Sequence, residues 1–309
     1  MTGWLVVNPF LRSPKFDDLD ALIDDAFRAR GATLERIPST VLARPLGTPL
    51  GSPDFVIFWD KDSALARRLE DEGLRVFNPS SAIAICDSKI QTALALSRLS
   101  VPMPHTIMAP MTFEGIPRST DFLRSAADVL GFPFVIKEEF GSFGQQVHLV
   151  RSVHEAESLV AGLGHRGFVM QRFIASSAGC DMRVNVVGGV VICAMRRFSA
   201  NGDFRSNVTL GGRCEPAVPT PSQRRIAMAA AMAAGADFAG VDLLCGPDGE
   251  PLVCEVNSNP HFRSTLDCTG VNLADAIADH VLRQSSTRSK APPPSPDSPA
   301  SPASTARCT

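Results

Sequence analysis

Three oxygen-bearing side chains, Asp242, Glu255 and Asn257, lie near the two ends of a short segment and would converge if it folds back on itself. It reads Gly240-Val241-Asp242-Leu243-Leu244-Cys245, then a turn rich in Gly, Pro and Asp, then Pro251-Leu252-Val253-Cys254-Glu255-Val256-Asn257. Two apolar runs flanking such a turn predict a β-hairpin. If Cys245 pairs with Leu252 across it, Asp242 comes opposite Glu255. Alternation then puts Val253, Glu255 and Asn257 on one face, and Cys254 and Val256 on the other. Two opposed carboxylates repel, so the pairing is unfavourable unless a cation or a proton lies between them. Hard oxygen donors, with neither histidine nor a paired cysteine, select magnesium or manganese over zinc. Taken alone, two acids on a hairpin more often line a solvated sheet face.

The elements before the hairpin decide between these readings. Residues 4–7, 54–59 and 75–77 have the apolar character of strands, and 16–30 and 63–72 have helical spacing. Strands alternating with helices imply a small parallel-sheet α/β unit ending near residue 84. A helix over 87–99 carries Lys89. A strand over 134–138 ends on Lys137 before the loop Phe140-Gly141-Ser142-Phe143-Gly144-Gln145-Gln146, and another strand follows at 147–151. Glycine lets such a loop lie against a ligand and offer N–H groups to phosphate. The loop lacks a Gly-Lys-Ser/Thr ending and runs into a strand, so it meets neither the P-loop nor the dinucleotide fingerprint, and an ordinary hairpin turn would look the same.

Further on, a strand at 167–173 precedes Gly179 to Val187, where alternation puts Asp181, Arg183 and Asn185 on one face. Gly188-Gly189 turns the chain into a strand over 190–197, and a polar loop at 201–207 carries Arg205 and Asn207. Arginines bind phosphate oxygens bidentately, so Arg183, Arg197 and Arg205 near the hairpin would suit a transferring phosphoryl group; surface ion pairs are the ordinary alternative. Thr220-Pro221-Ser222-Gln223 has the form of a capping box opening a helix that stops at Gly235. A last amphipathic helix is expected at 272–282, and the Ser, Pro, Ala and Thr composition from 284 to 309 predicts disorder.

Composition narrows the partners. A net charge of -2 over 309 residues, with no basic and aromatic cluster, makes no case for nucleic acid. No run is long enough to span a bilayer, and residues 1–10 are too short for a signal peptide's apolar region. Eight scattered cysteines without a Cys-x-x-Cys pair fit free thiols, so a cytoplasmic protein is expected.

In order along the chain, Asp87-Ser88-Lys89, Val135-Ile136-Lys137, Gly141 to Gly144, Gln171-Arg172-Phe173, Gly179 to Arg183, Gly202 to Asn207, Gly240-Val241-Asp242 and Glu255 to Pro260 resemble the ATP-grasp superfamily, and within it the RimK-like carboxylate-amine ligases. The resemblance covers about 85–283. It implies an α/β (α+β) architecture: a pre-ATP-grasp domain at 1–84, and an ATP-grasp domain at 85–283 whose small subdomain (about 100–173) and large subdomain (about 174–283) grip ATP. It also implies a substrate pocket built from loops such as residues 264–269 and from the front domain, and it implies site roles. Lys89 and Lys137 would contact ATP, the loop of Gly141, Ser142, Phe143 and Gly144 would cover its phosphates, and Gln171, Arg172 and Phe173 would form the adenine hinge. Asp181 would sit near the ribose, and Arg183, Arg205 and Asn207 would meet phosphates or the acyl-phosphate. Asp242, Glu255 and Asn257 would hold two Mg2+ (or Mn2+). Two departures stand out: Arg172 replaces an acid usual in relatives, and the phosphate loop carries Gln145-Gln146 where glutamate ligases have more glycine.

The implied reaction is ATP-dependent joining of a carboxylic acid to an amine through an acyl-phosphate, with an amino acid, peptide or protein terminus among the substrates. Members of the superfamily often associate, which leaves a homo-oligomer open. Two other readings also stay open: an ATP-binding protein that has lost catalysis and acts through partners, and a phosphotransferase on the same scaffold.

Overall fold

The computed structural model describes residues 1–11, 13–116, 119–142, 144–200, 202–206 and 211–288. Phe143 and Asn207, both expected in the site, lie outside the described residues. Strands β1 (Thr2–Val7), β2 (Thr33–Pro38), β3 (Phe55–Trp59) and β4 (Val76–Phe77) form an all-parallel sheet in the order β2-β1-β3-β4. β3, Phe-Val-Ile-Phe-Trp, is buried along its whole length, as a parallel strand covered on both faces requires. Helix α1 (Pro14–Arg28) packs its Leu19, Ile23 and Phe27 on one face; α2 (Ser63–Asp71) and α3 (Ser80–Asp87) pack Ala66, Leu69 and Ile83 on the other.

After α4 (Lys89–Arg98) comes an antiparallel sheet of β5 (Thr106–Met108), β6 (Phe134–Glu138), β7 (Val147–Val150) and β8 (Phe168–Arg172), in the order β5-β8-β6-β7. Helices α5 (Asp121–Leu130) and α6 (Val153–Leu163) share its apolar cluster. A five-stranded antiparallel sheet follows, β9 (Cys180–Val187), β10 (Val190–Phe198), β11 (Arg213–Ala217), β12 (Phe238–Cys245) and β13 (Pro251–Asn257), in the order β11-β10-β9-β12-β13. Helix α7 (Pro221–Ala234) begins with the expected Thr220/Gln223 capping box and lays Ala227, Ala230, Ala231 and Ala234 against this sheet. Helices α8 (Arg263–Thr269) and α9 (Leu273–Arg288) complete the described chain.

A buried polar anchor joins the N-terminal sheet to the five-stranded sheet. Asn78, fully buried, donates to the carbonyls of Phe238 (2.9 Å) and Ser258 (2.7 Å) and accepts from the N–H groups of Asp237 (2.6 Å) and Phe238 (3.1 Å). One amide side chain thus ties the end of β4 to both strands of the hairpin.

Four details depart from expectation. β2 and β11 are edge strands with mostly exposed side chains, so they carry no apolar alternation to read. Residues 264–269, expected as a substrate loop, form most of α8 instead, stopped by Gly270 in the left-handed conformation. Helix α9 runs beyond residue 284, where order was expected to end; Ser285 and Ser286 turn their hydroxyls back onto the carbonyls of Val281 and Leu282, which lets serine remain in a helix. The fourth concerns the hairpin register.

Candidate active site

Cys245 pairs with Pro251 rather than Leu252, and Leu243 pairs with Val253. A β-bulge between Asp242 and Leu243 then takes up one extra residue, Cys254, and brings Asp242 opposite Glu255 and Gly240 opposite Asn257. The expected opposition of the two acids therefore holds through a different register. The bulge also breaks the expected alternation. Val253 and Val256 both join the cluster under α7, while Cys254 and Glu255 both border the cleft between β13 and the β5–β8 sheet.

That cleft encloses roughly 390 Å³, including solvent at its mouth. Lys89, Lys137, Gln171, Thr106, Met103 and Leu96 are among the residues around it. Lys89 is placed by the start of α4, which Ser88 caps by accepting from the Gln91 N–H (3.1 Å) while donating to Glu139 (2.6 Å). Its ammonium donates to the Gly141 carbonyl at 3.3 Å. Burial pulls the Lys89 pKa below its ordinary value; Glu255 opposes that shift, and Lys137 and Lys61 reinforce it. Lys137, buried on β6, lies 3.5 Å from the Cys254 sulfur. Several cations crowded into one cleft repel each other until an anion enters.

Arg183 and Asp242 face each other on β9 and β12. Arg183 holds Asp242 bidentately, Nη2 to Oδ2 at 2.7 Å and Nε to Oδ1, and Arg197 reaches the same carboxylate at 2.9 Å. Arg197 also donates Nε to Asp181 at 2.7 Å, so two acids and two guanidiniums form one buried chain. Burial disfavours the charge on Asp242, but Arg183 and Arg197 outweigh it and hold the carboxyl below the usual aspartate range. At Asp181 burial prevails over its share of Arg197 and the pKa lies above that range. Gly240 makes room for this arrangement: a Cβ there would sit 3.0 Å from both Arg183 Cδ and Pro260 Cβ.

The remaining expected residues divide. Gln171 is buried and donates to the Thr106 hydroxyl at 2.9 Å beside the cleft. The Arg172 side chain points away, donating to the Val129 carbonyl near the end of α5 at 2.9 Å. Phe173 stacks edge-on against Phe204 with centroids 6.1 Å apart. Arg205 does not join the Asp242 cluster; it pairs with Asp203 (2.6 Å) and donates to the Gly144 carbonyl at 2.7 Å, joining its loop to the glycine loop. His261 is partly buried between Phe16 and the Arg183 side of the site, and its Nε2 has no partner among the described residues. No spacing in the sequence marks Lys61, which follows β3 as an ordinary charged loop residue.

The donor set suits a hard divalent cation. The Glu255 carboxylate has no hydrogen-bond or ion-pair partner among the described residues, and Asn257 uses only its Nδ2, on the Gly240 carbonyl at 3.4 Å. A carboxylate offers about four lone-pair sites, and the arginines occupy three on Asp242, leaving one on Oδ1. Among the described residues no group of three or more His, Cys, Asp or Glu could hold a metal, so a cation here would have at most two such donors.

A parallel-sheet unit ahead of two antiparallel sheets with a cationic cleft between them defines an ATP-grasp protein, and the comparisons agree. Residues 86–281 match the RimK-like ATP-grasp domain. The chain is 39% identical over 230 residues to a probable alpha-L-glutamate ligase of Xanthomonas oryzae pv. oryzae, covering 74% of this chain and 75% of that one. It is 31% identical over 272 residues to human N-acetylaspartylglutamate synthase A, covering 82% and 68%. Its fold superposes on a RimK domain ATP-grasp protein of Sphaerobacter thermophilus with a TM-score of 0.69 at 22% identity, covering 91% of this chain and 99% of that one. The D-alanine–D-alanine ligase of Bacillus anthracis gives a TM-score of 0.67 at 18% identity, covering 93% and 99%. The chain belongs to the RimK-like ATP-grasp family. Its chemistry is the ATP-dependent formation of a C–N bond between a carboxylate and an amine.

Proposed function

We propose that the protein phosphorylates a carboxylic acid with ATP and joins the resulting acyl-phosphate to the amine of an amino acid, a peptide or a protein terminus, releasing ADP and phosphate. The observation that carries this reading is the opposition of Asp242 and Glu255 across the hairpin, beside a cleft holding Lys89 and Lys137. Sequence relatives named as glutamate ligases and N-acetylaspartylglutamate synthase favour an amino acid on at least one side of the new bond.

Carboxylate and triphosphate repel each other, so the site's first task is positive charge. In this reading Lys89 and Lys137 take the nucleotide phosphates, and the loop of Gly141, Ser142, Phe143 and Gly144 lies over them. Gln171, Arg172 and Phe173 border adenine, with Arg172 contributing its backbone alone, and Asp181 lies toward the ribose. Arg183 carries charge toward the acyl-phosphate, and Arg205 fixes the loop that bears Asn207. Asp242, Glu255 and Asn257 would hold two Mg2+, which when bound neutralise phosphate charge.

A panel of carboxylic acids and amines, assayed for ADP release and followed by product mass, tests the reading. An amide product whose mass equals acid plus amine minus water is expected. Glu255→Gln should lower ADP formation at least about a thousandfold in a protein that still folds. Unchanged ADP release by that variant with the same acid and amine would overturn the assignment.

A further inference from the structure

In an open parallel sheet, ligands meet the carboxyl ends of the strands where the strand order reverses. Here that reversal falls between β1 and β3, since β2 lies on one side of β1 and β3 and β4 on the other. Asn8 follows β1, and Asp60 and Lys61 follow β3. Asn8 donates to Asp60 Oδ1 at 3.1 Å, and the Lys61 N–H donates to the same oxygen at 2.7 Å. Asn259, two residues beyond Asn257, donates to the Asp60 carbonyl at 2.7 Å. The backbone bearing Lys61 is thereby fixed against the end of the hairpin.

From this anchor the Lys61 ammonium reaches Ser142 of the glycine loop, donating to its Oγ at 3.0 Å, and pairs with Asp87 just ahead of the Lys89 helix. An ammonium has three N–H donors. Two are used here, and the third has no partner among the described residues. The side chain is about half exposed, and its charge acts on Lys89 and Cys86, both of which line the cleft. In the nucleotide reading above, the phosphates lie under the glycine loop, whose Ser142 the Lys61 ammonium touches.

We propose that Lys61 binds the terminal, transferring phosphate of the nucleotide, delivered from the N-terminal sheet to the junction where phosphate meets the substrate carboxylate. The proposal rests on the nucleotide reading above, and goes beyond it by assigning a phosphate ligand outside the ATP-grasp sheets. A cation at the far end of the triphosphate contacts AMPPNP and not ADP, and a charge-assisted hydrogen bond of that kind changes affinity by about tenfold or more.

Binding of AMPPNP and of ADP, each with Mg2+, is measured calorimetrically on the full chain carrying Lys61→Met or Lys61→Arg and on the unsubstituted protein. Lys61→Met is expected to weaken AMPPNP about tenfold or more and to leave ADP within about twofold, and Lys61→Arg to restore most of the loss. Equal weakening of both nucleotides would reduce Lys61 to a support for the glycine loop and overturn the proposal. Unchanged binding of both would also overturn it, leaving the substrate carboxylate as the anion Lys61 meets. Circular dichroism and thermal unfolding establish that the variants fold. If the unsubstituted protein binds neither nucleotide, the nucleotide reading itself falls, and the proposal with it.

Discussion

Asp242 stands opposite Glu255 because Cys254 is extruded from the ladder between them and the turn. Without that extra residue the register counted from Cys245 and Pro251 would set Asp242 against Cys254. The same bulge leaves Val253 and Val256 both in the cluster under α7, while Val253, Cys254 and Glu255 all border the cleft. A bulge beside a site re-aims a side chain without moving the rest of the strand. In this hairpin the strand keeps its apolar contacts and places three consecutive residues along the cleft.

The arginine clamp on Asp242 makes it a stability residue as well as a candidate ligand. Asp242→Asn leaves Arg183 and Arg197 short of a buried counter-charge, and a loss of about 3 to 5 kcal/mol is expected. The pH dependence follows from the lowered folded pKa. The stabilisation is complete above the unfolded aspartate value, near 4, and disappears as pH falls through the lower folded value. Urea unfolding from pH 7 to pH 3 should therefore show a steep acid decline in the native protein and a flatter one in Asp242→Asn. Parallel curves would mean that the clamp contributes nothing.

Much of this arrangement was legible beforehand. The Asp242 and Glu255 strands declare themselves through short apolar runs around a Gly-Pro-Asp turn, and the Thr220 box through four adjacent residues. What escaped reading has a common physical character. β2 and β11 are exposed edges, where side-chain type is barely constrained. The Cys254 bulge leaves no compositional mark, because one extra residue in a strand looks like any other. Arg183 on its strand and Arg205 in its loop both suit a phosphate, and no local pattern shows that Arg183 instead has a register partner, Asp242, on the neighbouring strand. Lys61 and Asn78 act through contacts 81 and 160 residues away, which no local pattern records.

The Arg172 guanidinium caps the end of α5 and is not among the groups lining the cleft. Lysine or arginine beside the last carbonyls of a helix is worth about 0.3 to 1 kcal/mol. Arg172→Glu is expected to reduce stability by that amount and to change the dissociation constant for ATP by less than about threefold. A tenfold change in either direction would show that the side chain reaches the nucleotide.

Asn78 satisfies four backbone groups from a fully buried position. Asn78→Ala strands all four, and a loss of about 2 to 4 kcal/mol is expected. Asn78→Asp can still accept from Asp237 and Phe238 but loses both donors to the carbonyls, so it should be at least as damaging. Hydrogen exchange supplies the local test: the amides of Asp237 and Phe238 should lose protection in Asn78→Ala before the α6 region does. Uniform loss across the chain would mean that Asn78 acts only on global stability.

His261 lies where the hairpin end meets α1. Burial, with Lys15 and Arg183 adding positive charge nearby, lowers its pKa to about 4 from an ordinary 6.5. The folded protein therefore binds the imidazole proton less readily than the unfolded chain does. Between pH 6.5 and 4 the unfolded state takes up the proton first, so stability falls as the solution is acidified through that window and the full contribution is present above it. His261→Gln removes the titration and should flatten this part of the stability curve, while the decline below pH 4 persists through Asp242. Proton NMR of the imidazole gives the direct measurement. A midpoint near 6.5 in the folded protein would mean that the ring is solvated and that the junction between α1 and the hairpin is open to water.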